Sequence, residues 1–326
     1  MKIAFFDTKP YDIPGFDHYA VPAGVTIKYF EPRLNADTVA LAAGYDAVCV
    51  FVNDSVDAYV AQRLYELGVR AVLLRCAGFN NVDLKACRGK LRVFRVPAYS
   101  PHAVAEHAMA LLLTVNRRTH KAHNRTREFN FSLQGLTGFD LYGKTVGIIG
   151  TGKIGRIFAD ICRGFGMKIL AYDKFPVENS GLQYVSLEEL LRRSDIVSLH
   201  CPLTEETAHM IRAETIAEMK PGAVILNTSR GGLVNTADLI QGLKSGKVGA
   251  ACLDVYEEEG DIFYEDLSGH ILQDDNLVRL ISMPNVIVTS HQAFLTREAL
   301  DNIAYTTVDN FLRLMRGEPN ESTEVL

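Results

Sequence analysis

The sequence predicts an α/β chain of two domains, each built on a parallel sheet, with a cleft between them. Three observations carry this reading. The 326 residues are 48% apolar, enough to build two separate cores. Two successive series of short apolar runs alternate with helix-like segments, the pattern of parallel strands joined by crossover helices. Midway along, the apolar run Lys144-Thr-Val-Gly-Ile-Ile-Gly150 passes into Thr151-Gly-Lys-Ile-Gly155, a glycine-rich turn between a strand and a helix.

The first series places strands at residues 2–7, 26–30, 47–51, 69–75 and 93–97. The segment Ser55 to Gly68 reads as a helix, with a serine to cap its start and a glycine to end it. Together these make a small flavodoxin-like unit. From Pro101, a residue that a first helical turn tolerates, an apolar helix pattern continues to about Arg118. Further strands follow near 145–150, 168–173, 195–200, 223–227, 249–254 and 285–290, a count that suits a doubly wound, Rossmann-like sheet. A last helix pattern, from about Thr296 to Arg316, lies beyond the final strand and needs a surface to pack on. The simplest assignment returns it to the first unit. Residues 1–100 with 296–326 then form one domain and residues 101–295 the other. Two chain crossings would hinge a cleft, where ligands of open α/β sheets bind.

The glycine turn reads as a dinucleotide site. Gly150 makes the tight turn, Gly152 leaves room for a pyrophosphate to approach the backbone, and Gly155 lets the helix pack closely on the strand. The start of that helix presents free N–H groups and its positive dipole end to the phosphates. Asp173 ends the next strand, Lys168-Ile-Leu-Ala-Tyr-Asp173, where a carboxylate accepts both ribose hydroxyls and repels a 2′-phosphate. NAD is therefore expected over NADP, with the adjacent Lys174 arguing the other way.

A net charge of −5 argues against a surface dedicated to nucleic acid or anionic membrane. A local exception is the run Arg117, Arg118, Lys121, Arg125 and Arg127, read as a solvated helix end and loop or an oligomer contact, with a phosphate-binding patch as the alternative. The alanine-rich helix from Ala103 to Leu113 suggests close helix packing and a second candidate for a homo-oligomer interface, dimer or tetramer. Six cysteines, at positions 49, 76, 87, 162, 201 and 252, form no CxxC pair and several sit in apolar strand patterns, as buried free thiols do. The chain opens directly on a strand, shows no signal-peptide pattern and has no stretch long enough to span a membrane, so a cytoplasmic protein is expected. The pairs His102 with His107 and His120 with His123 lack acidic or cysteine partners at metal-ligand spacing, and no metal is expected. No GxSxG elbow supports a serine hydrolase.

Three polar residues follow strands of the second series: Arg230 in Asn-Thr-Ser-Arg-Gly-Gly, Glu259 in the acidic run after Leu-Asp-Val-Tyr, and His291 in Thr-Ser-His-Gln-Ala-Phe. An arginine can hold a carboxylate by two parallel hydrogen bonds while polarising a neighbouring carbonyl. A histidine carries protons at neutral pH, and a nearby carboxylate favours its charged form. Behind a dinucleotide motif, the three together fit ketone reduction. Each alone has a plainer use: an ion pair, a solvated acid, a strand-end cap. Glu257 and Glu258 are rivals for the acid.

The chain resembles the D-isomer-specific 2-hydroxyacid dehydrogenase family over nearly its full length, and within it the bacterial fermentative D-lactate dehydrogenases most. The matching segments are Cys76-Ala-Gly-Phe-Asn-Asn-Val-Asp83, Val96-Pro-Ala-Tyr-Ser-Pro101, Gly150 to Gly155, His200-Cys-Pro-Leu-Thr204, Asn227-Thr-Ser-Arg-Gly231, Leu253-Asp-Val-Tyr-Glu257 and His291-Gln-Ala-Phe-Leu-Thr296. The resemblance implies that Arg230, Glu259 and His291 are catalytic, Glu259 being chosen by its spacing of five from Asp254. It implies cofactor contacts at Lys153, Ile154, Asp173, Cys201, Pro202, Thr207, Thr228, Ser229 and Asp254, besides the glycines. It also implies that Ala77 and Gly78 offer backbone N–H groups, and Tyr99 a hydroxyl, to the substrate carboxylate. The expected reaction is NAD-dependent reduction of pyruvate to D-lactate, with Phe51 and Phe294 either crowding the substrate methyl or serving as ordinary packing. Two rivals stand beside this. One is a non-catalytic NAD-responsive regulator on the same fold. The other is a dehydrogenase for a phosphorylated or bulkier hydroxy acid, for which Arg75 is the evident first-domain cation, unless it is a strand-end ion pair.

Overall fold

The computed structural model describes residues 1–318 and 320–326, with Asp261 by its backbone alone. The chain divides into two compact units, one of Met1–Ser100 with Phe294–Leu326 and one of Pro101–Ala293.

In the first unit, short aliphatic runs that alternate with helices form β1 (Lys2–Phe5), α1 (Ile13–Ala20), β2 (Thr26–Tyr29), β3 (Ala47–Val50), α2 (Ala58–Glu66), β4 (Ala71–Leu74), α3 (Leu84–Cys87) and β5 (Arg92–Phe94). The sheet order is β2-β1-β3-β4-β5 with every pair parallel, the order of flavodoxin-like sheets. β3 and β4 are buried along their whole length, which is why they read as unbroken apolar runs. Asp57, and not Ser55, caps α2: its carboxylate accepts the Val60 N–H at 2.8 Å. The sequence signal was two residues too early because both residue types cap well.

The second unit opens with α4 (Pro101–Arg117) and α5 (Thr119–Arg127). The break falls at Arg118, held in the left-handed region at φ 51°. There follow β6 (Thr145–Ile149), α6 (Lys153–Gly164), β7 (Lys168–Tyr172), α7 (Leu187–Arg193), β8 (Ile196–Leu199), α8 (Ala213–Glu218), β9 (Ala223–Asn227), α9 (Thr236–Ser245), β10 (Val248–Leu253), α10 (Asp275–Ser282) and β11 (Val286–Val288). The sheet runs β11-β10-β9-β8-β6-β7, all parallel. A further bridge of Tyr184 to Ala171 extends it beyond β7, giving the strand order of doubly wound dinucleotide sheets, with the reversal between β6 and β8. One core cluster gathers Ala105, Leu112, Phe158 and Cys162 from α4 and α6; another gathers Leu190, Leu239 and Leu280 from α7, α9 and α10. The alanine-rich face of α4 is therefore spent inside its own unit: Ala105 and Ala108 are fully buried in the first cluster. The close packing expected of this helix is observed.

The last helix, α11 (Arg297–Arg316), is capped by Thr296, whose side chain accepts the Ala299 N–H, and ends at Gly317 in the left-handed region. It packs with α1 and β4 of the first unit. The tail after it is not loose: Val325 N–H donates to Val93 and Val93 N–H to Leu326, laying the chain along β5.

Candidate active site

The turn after β6 is dictated by contact. Gly150 lies at φ 93°, and a Cβ on it would meet the backbone of His200 and Cys201 at 2.6 Å. A Cβ on Gly155 would stand 2.0 Å from the Gly150 carbonyl oxygen, so α6 can lie this close to the turn only without one. Gly152, by contrast, has among the described residues nothing but its own chain neighbours within 4 Å of where a Cβ would be. The space in front of the α6 N-terminus is open, as an approaching phosphate requires.

Beside this turn is a cavity of about 690 Å³, lined among others by Gly150, Asp173, Lys174, Cys201, Pro202 and Thr207. Asp173 accepts the Thr151 N–H at 2.6 Å, the Thr151 hydroxyl at 3.0 Å and the Phe175 N–H at 2.9 Å. Burial alone would raise its pKa, but these donors outweigh burial and hold the carboxyl below its usual range. Lys174, the residue that argued for NADP, pairs with Glu206 at 2.8 Å. Burial pushes the Cys201 thiol up to about 11, so it enters the cavity wall as a neutral group. The Thr207 hydroxyl is turned inward, donating to the Pro202 carbonyl at 2.7 Å and accepting the Thr204 N–H at 2.8 Å. Lys153 opens α6 and is exposed, Ile154 is half-buried behind it, and Ser229 donates its hydroxyl to the Cys201 carbonyl at 2.6 Å. The Thr228 hydroxyl at the end of β9 is buried with no hydrogen-bond partner among the described residues, an orphan that a bound molecule would satisfy. The open turn, the ionised Asp173 and this hydroxyl fit a dinucleotide.

Asp254, expected as a cofactor contact, is fully buried, and its carboxylate accepts from the Thr289 hydroxyl, the Gln292 N–H at 2.9 Å and the Ala293 N–H at 2.8 Å, with His107 Nε2 at 3.3 Å. Burial would raise its pKa, but these bonds, with His107 foremost, leave it lowered. Its observed work is to anchor the turn that carries His291.

The strand order places β9, β10 and β11 side by side, so Arg230, Glu259 and His291 all lie beyond the carboxyl ends of neighbouring strands. Glu259 Oε1 meets His291 Nδ1 at 2.9 Å, and its Oε2 accepts the Tyr256 N–H at 2.9 Å. The carboxylate is fixed at both oxygens and the imidazole turns Nε2 away from it. His291 itself sits at φ 52°, with its N–H donating to the Asp254 carbonyl at 2.7 Å. A non-glycine residue there is held by its surroundings. Of the rivals, Glu257 is bound by His209, by the Thr236 hydroxyl at 2.8 Å and by the Thr236 N–H, and Glu258 is exposed. Arg230 is half-buried and donates to the Ser229 carbonyl at 2.7 Å, while Asn227 Nδ2 donates to the Arg230 carbonyl at 2.8 Å.

Within the first unit, the loop after β4 carries Ala77 and Gly78. Arg95 donates to the Ala77 carbonyl at 3.0 Å, and Cys76 Sγ lies 3.3 Å from the Gly78 carbonyl. The Tyr99 carbonyl accepts from Asn302 of α11 at 2.7 Å, and the Tyr99 ring packs edge-on against Phe294, which also packs against Phe51. Arg75 is not a surface cation. It is 2% exposed, donates to the Phe6 and Asp7 carbonyls at 3.1 and 2.6 Å, and lies between the faces of Phe5 and Phe51, with Asp12 at 3.6 Å. Part of the basic run is engaged likewise: Arg118 and Arg125 donate to the Gly135 and Gln134 carbonyls, and Lys121 to that of Pro284.

Three participants were not given their roles here from the sequence. His107 and Thr289 act through Asp254, and only the fold brings them to it. Gly231 could have been read from the Arg-Gly-Gly signal: a Cβ there would stand 2.0 Å from the Tyr256 carbonyl oxygen, so the Arg230 turn and the segment leading to Glu259 touch backbone to backbone.

Residues 109–293 match the model of the D-isomer specific 2-hydroxyacid dehydrogenase NAD binding domain. A 2-hydroxyacid dehydrogenase homolog of Haemophilus influenzae is 51% identical over 326 residues, covering 99% of this chain and 98% of its own. The D-lactate dehydrogenase of Escherichia coli K12 is 48% identical, with 98% and 99% covered. The apo structure of D-lactate dehydrogenase from Escherichia coli superposes with a TM-score of 0.92 at 45% identity, over 100% of both chains. The chain belongs to the NAD-dependent, D-isomer specific 2-hydroxyacid dehydrogenases.

Proposed function

We propose that the protein is a D-lactate dehydrogenase that reduces pyruvate, with His291 as proton donor, Glu259 as its orienting carboxylate and Arg230 as the residue that holds the keto acid. The observation that carries this is the Glu259 to His291 bond at Nδ1, which commits one ring nitrogen to the carboxylate and leaves the other for a substrate oxygen. The bound cofactor supplies the hydride that adds to C2. His291 delivers the single proton to the carbonyl oxygen, so the two-electron reduction ends in a neutral hydroxyl, and in reverse His291 removes it. Arg230 pairs with the carboxylate and polarises the carbonyl. Ala77 and Gly78 contribute backbone N–H groups to the carboxylate and Tyr99 its hydroxyl. Gly150, Gly152, Lys153, Ile154 and Gly155 would receive the pyrophosphate, Asp173 the ribose, and Cys201, Pro202, Thr207, Thr228 and Ser229 the rest of the cofactor.

The D-lactate dehydrogenases among the relatives support pyruvate as substrate. The burial of Arg75 speaks against a phosphorylated acid, since the first unit then offers no cation beside the Ala77 loop from that position. A reducing, cytoplasmic compartment is supported by six buried cysteines, none of them in a disulfide; no described helix is long and apolar enough to cross a membrane. The test is NADH oxidation with pyruvate, compared with a His291→Ala variant, and D- against L-lactate in reverse. Turnover of the D-isomer alone, lost in the variant, is expected. A larger kcat/KM for phenylpyruvate or 2-ketoisocaproate would move the substrate assignment, and full activity in the variant would remove His291 from the chemistry.

A further inference from the structure

Beyond Glu259, a second side chain bears on His291. The turn that begins at Glu259, closed by the Ile262 and Phe263 N–H groups on the Glu259 carbonyl at 3.1 and 3.0 Å, delivers Tyr264. The Tyr264 ring lies 6.2 Å from the His291 ring, centroid to centroid, with only 28° between their planes. Its hydroxyl donates to the His291 carbonyl at 3.1 Å. Tyr264 is at φ 72° and His291 at φ 52°, conformations that persist in bulky residues only where the surroundings fix them. The tyrosine is itself seated against the core cluster of α7 to α10, so it is a support rather than a passenger.

The histidine is thus gripped from separate directions. Its N–H is taken by the Asp254 carbonyl, its Nδ1 by Glu259, its carbonyl by the Tyr264 hydroxyl, and the flat Tyr264 ring flanks its imidazole. Glu259 fixes the ring about one atom; rotation about χ2 and tilting of the strained turn remain to be restrained. We propose that Tyr264 is the positioning residue that restrains them, holding the imidazole in the plane from which Nε2 reaches the substrate oxygen. This rests on the reading of His291 as proton donor. Proton delivery is sensitive to small misplacements, so the loss should fall on the chemical step and leave cofactor binding alone.

The experiment compares Tyr264→Leu, which keeps apolar volume for the core but removes ring and hydroxyl, with Tyr264→Phe, which restores the ring, and with His291→Ala as reference. Pyruvate reduction by NADH is measured in water and in heavy water, and the Kd for NADH by fluorescence. The expected result for Tyr264→Leu is a fall in kcat of about ten- to a hundredfold with a larger solvent isotope effect and a Kd for NADH within about twofold of wild type; Tyr264→Phe should recover most of kcat. Wild-type kcat in Tyr264→Leu, beside an inactive His291→Ala, would overturn the positioning role alone. A fall in kcat that tracks a loss of NADH affinity, with no change in isotope effect, would overturn it too. Full activity in His291→Ala would overturn the proton-donor reading and this inference with it.

Discussion

At the scale of single residues, the acids of this chain do opposite things according to their donors. Glu259 is half-buried and fixed at both oxygens, so replacing it by Gln keeps shape but removes charge from the Nδ1 side of His291. Glu259→Gln should lower kcat/KM by about ten- to a hundredfold, within the range of general acid catalysis; a wild-type value would show that the carboxylate charge is not used. Asp54, in the first unit, accepts the Leu34 and Phe51 N–H groups, yet burial dominates over those bonds and over Arg75 and raises its pKa to about 6. Its folded-state pKa therefore exceeds the unfolded value of about 3.9. The folded chain holds a proton that the unfolded chain releases, so this contribution is complete below about pH 4 and is lost as pH rises through about 6. Against Asp54→Asn, the melting temperature of the wild type should fall over that window, and a pH-independent difference would refute the assignment. The sequence left three glutamates as candidate acids because their order in the run says nothing about which side chain a distant histidine meets. His209 and Thr236 remove Glu257 from contention, and neither neighbours it in sequence.

At the scale of elements, the turn from β6 into α6 was legible residue by residue, because each glycine answers to a different contact. Gly155→Ala places a methyl 2.0 Å from the Gly150 carbonyl oxygen, so α6 must move off β6, at a cost of roughly 1–3 kcal/mol and with weaker NADH binding. Gly152→Ala meets, among the described residues, nothing but its own chain neighbours within 4 Å and keeps an allowed φ of −62°. It should leave the melting temperature unchanged while raising the Kd for NADH, and equal destabilisation in both variants would refute this division of labour. The strands were legible as apolar runs because buried parallel strands carry few polar residues. The start of α2 and the split of α4 from α5 were not, since the first chose between two good caps and the second rests on one arginine in a left-handed conformation. The anchoring role of Asp254 was not legible, because a sequence shows a carboxylate at a strand end but not the donors, from His107 to Ala293, that the fold turns toward it.

At the scale of the whole molecule, the open question is what covers the segment after α5. Phe129, Phe131, Leu133 and Tyr142 are 83%, 70%, 80% and 81% exposed, an unusual set for side chains this large to leave in water. The segment is not loose chain: Arg118 and Arg125 of the preceding basic run bind its carbonyls, so the cations that suggested a phosphate patch instead present an apolar surface. A homo-oligomer that associates through this segment would remove these side chains from water. Because Phe129 and Phe131 are mostly exposed, changing both to Asp should cost the isolated chain little stability while burying two charges in any assembled interface. Sedimentation at micromolar concentration should therefore show an oligomer for the wild type and a monomer for Phe129→Asp with Phe131→Asp, with NADH binding retained because Gly152 and Asp173 are untouched. A wild type that sediments as a monomer would end the proposal, and a double variant that remains assembled would move the interface elsewhere.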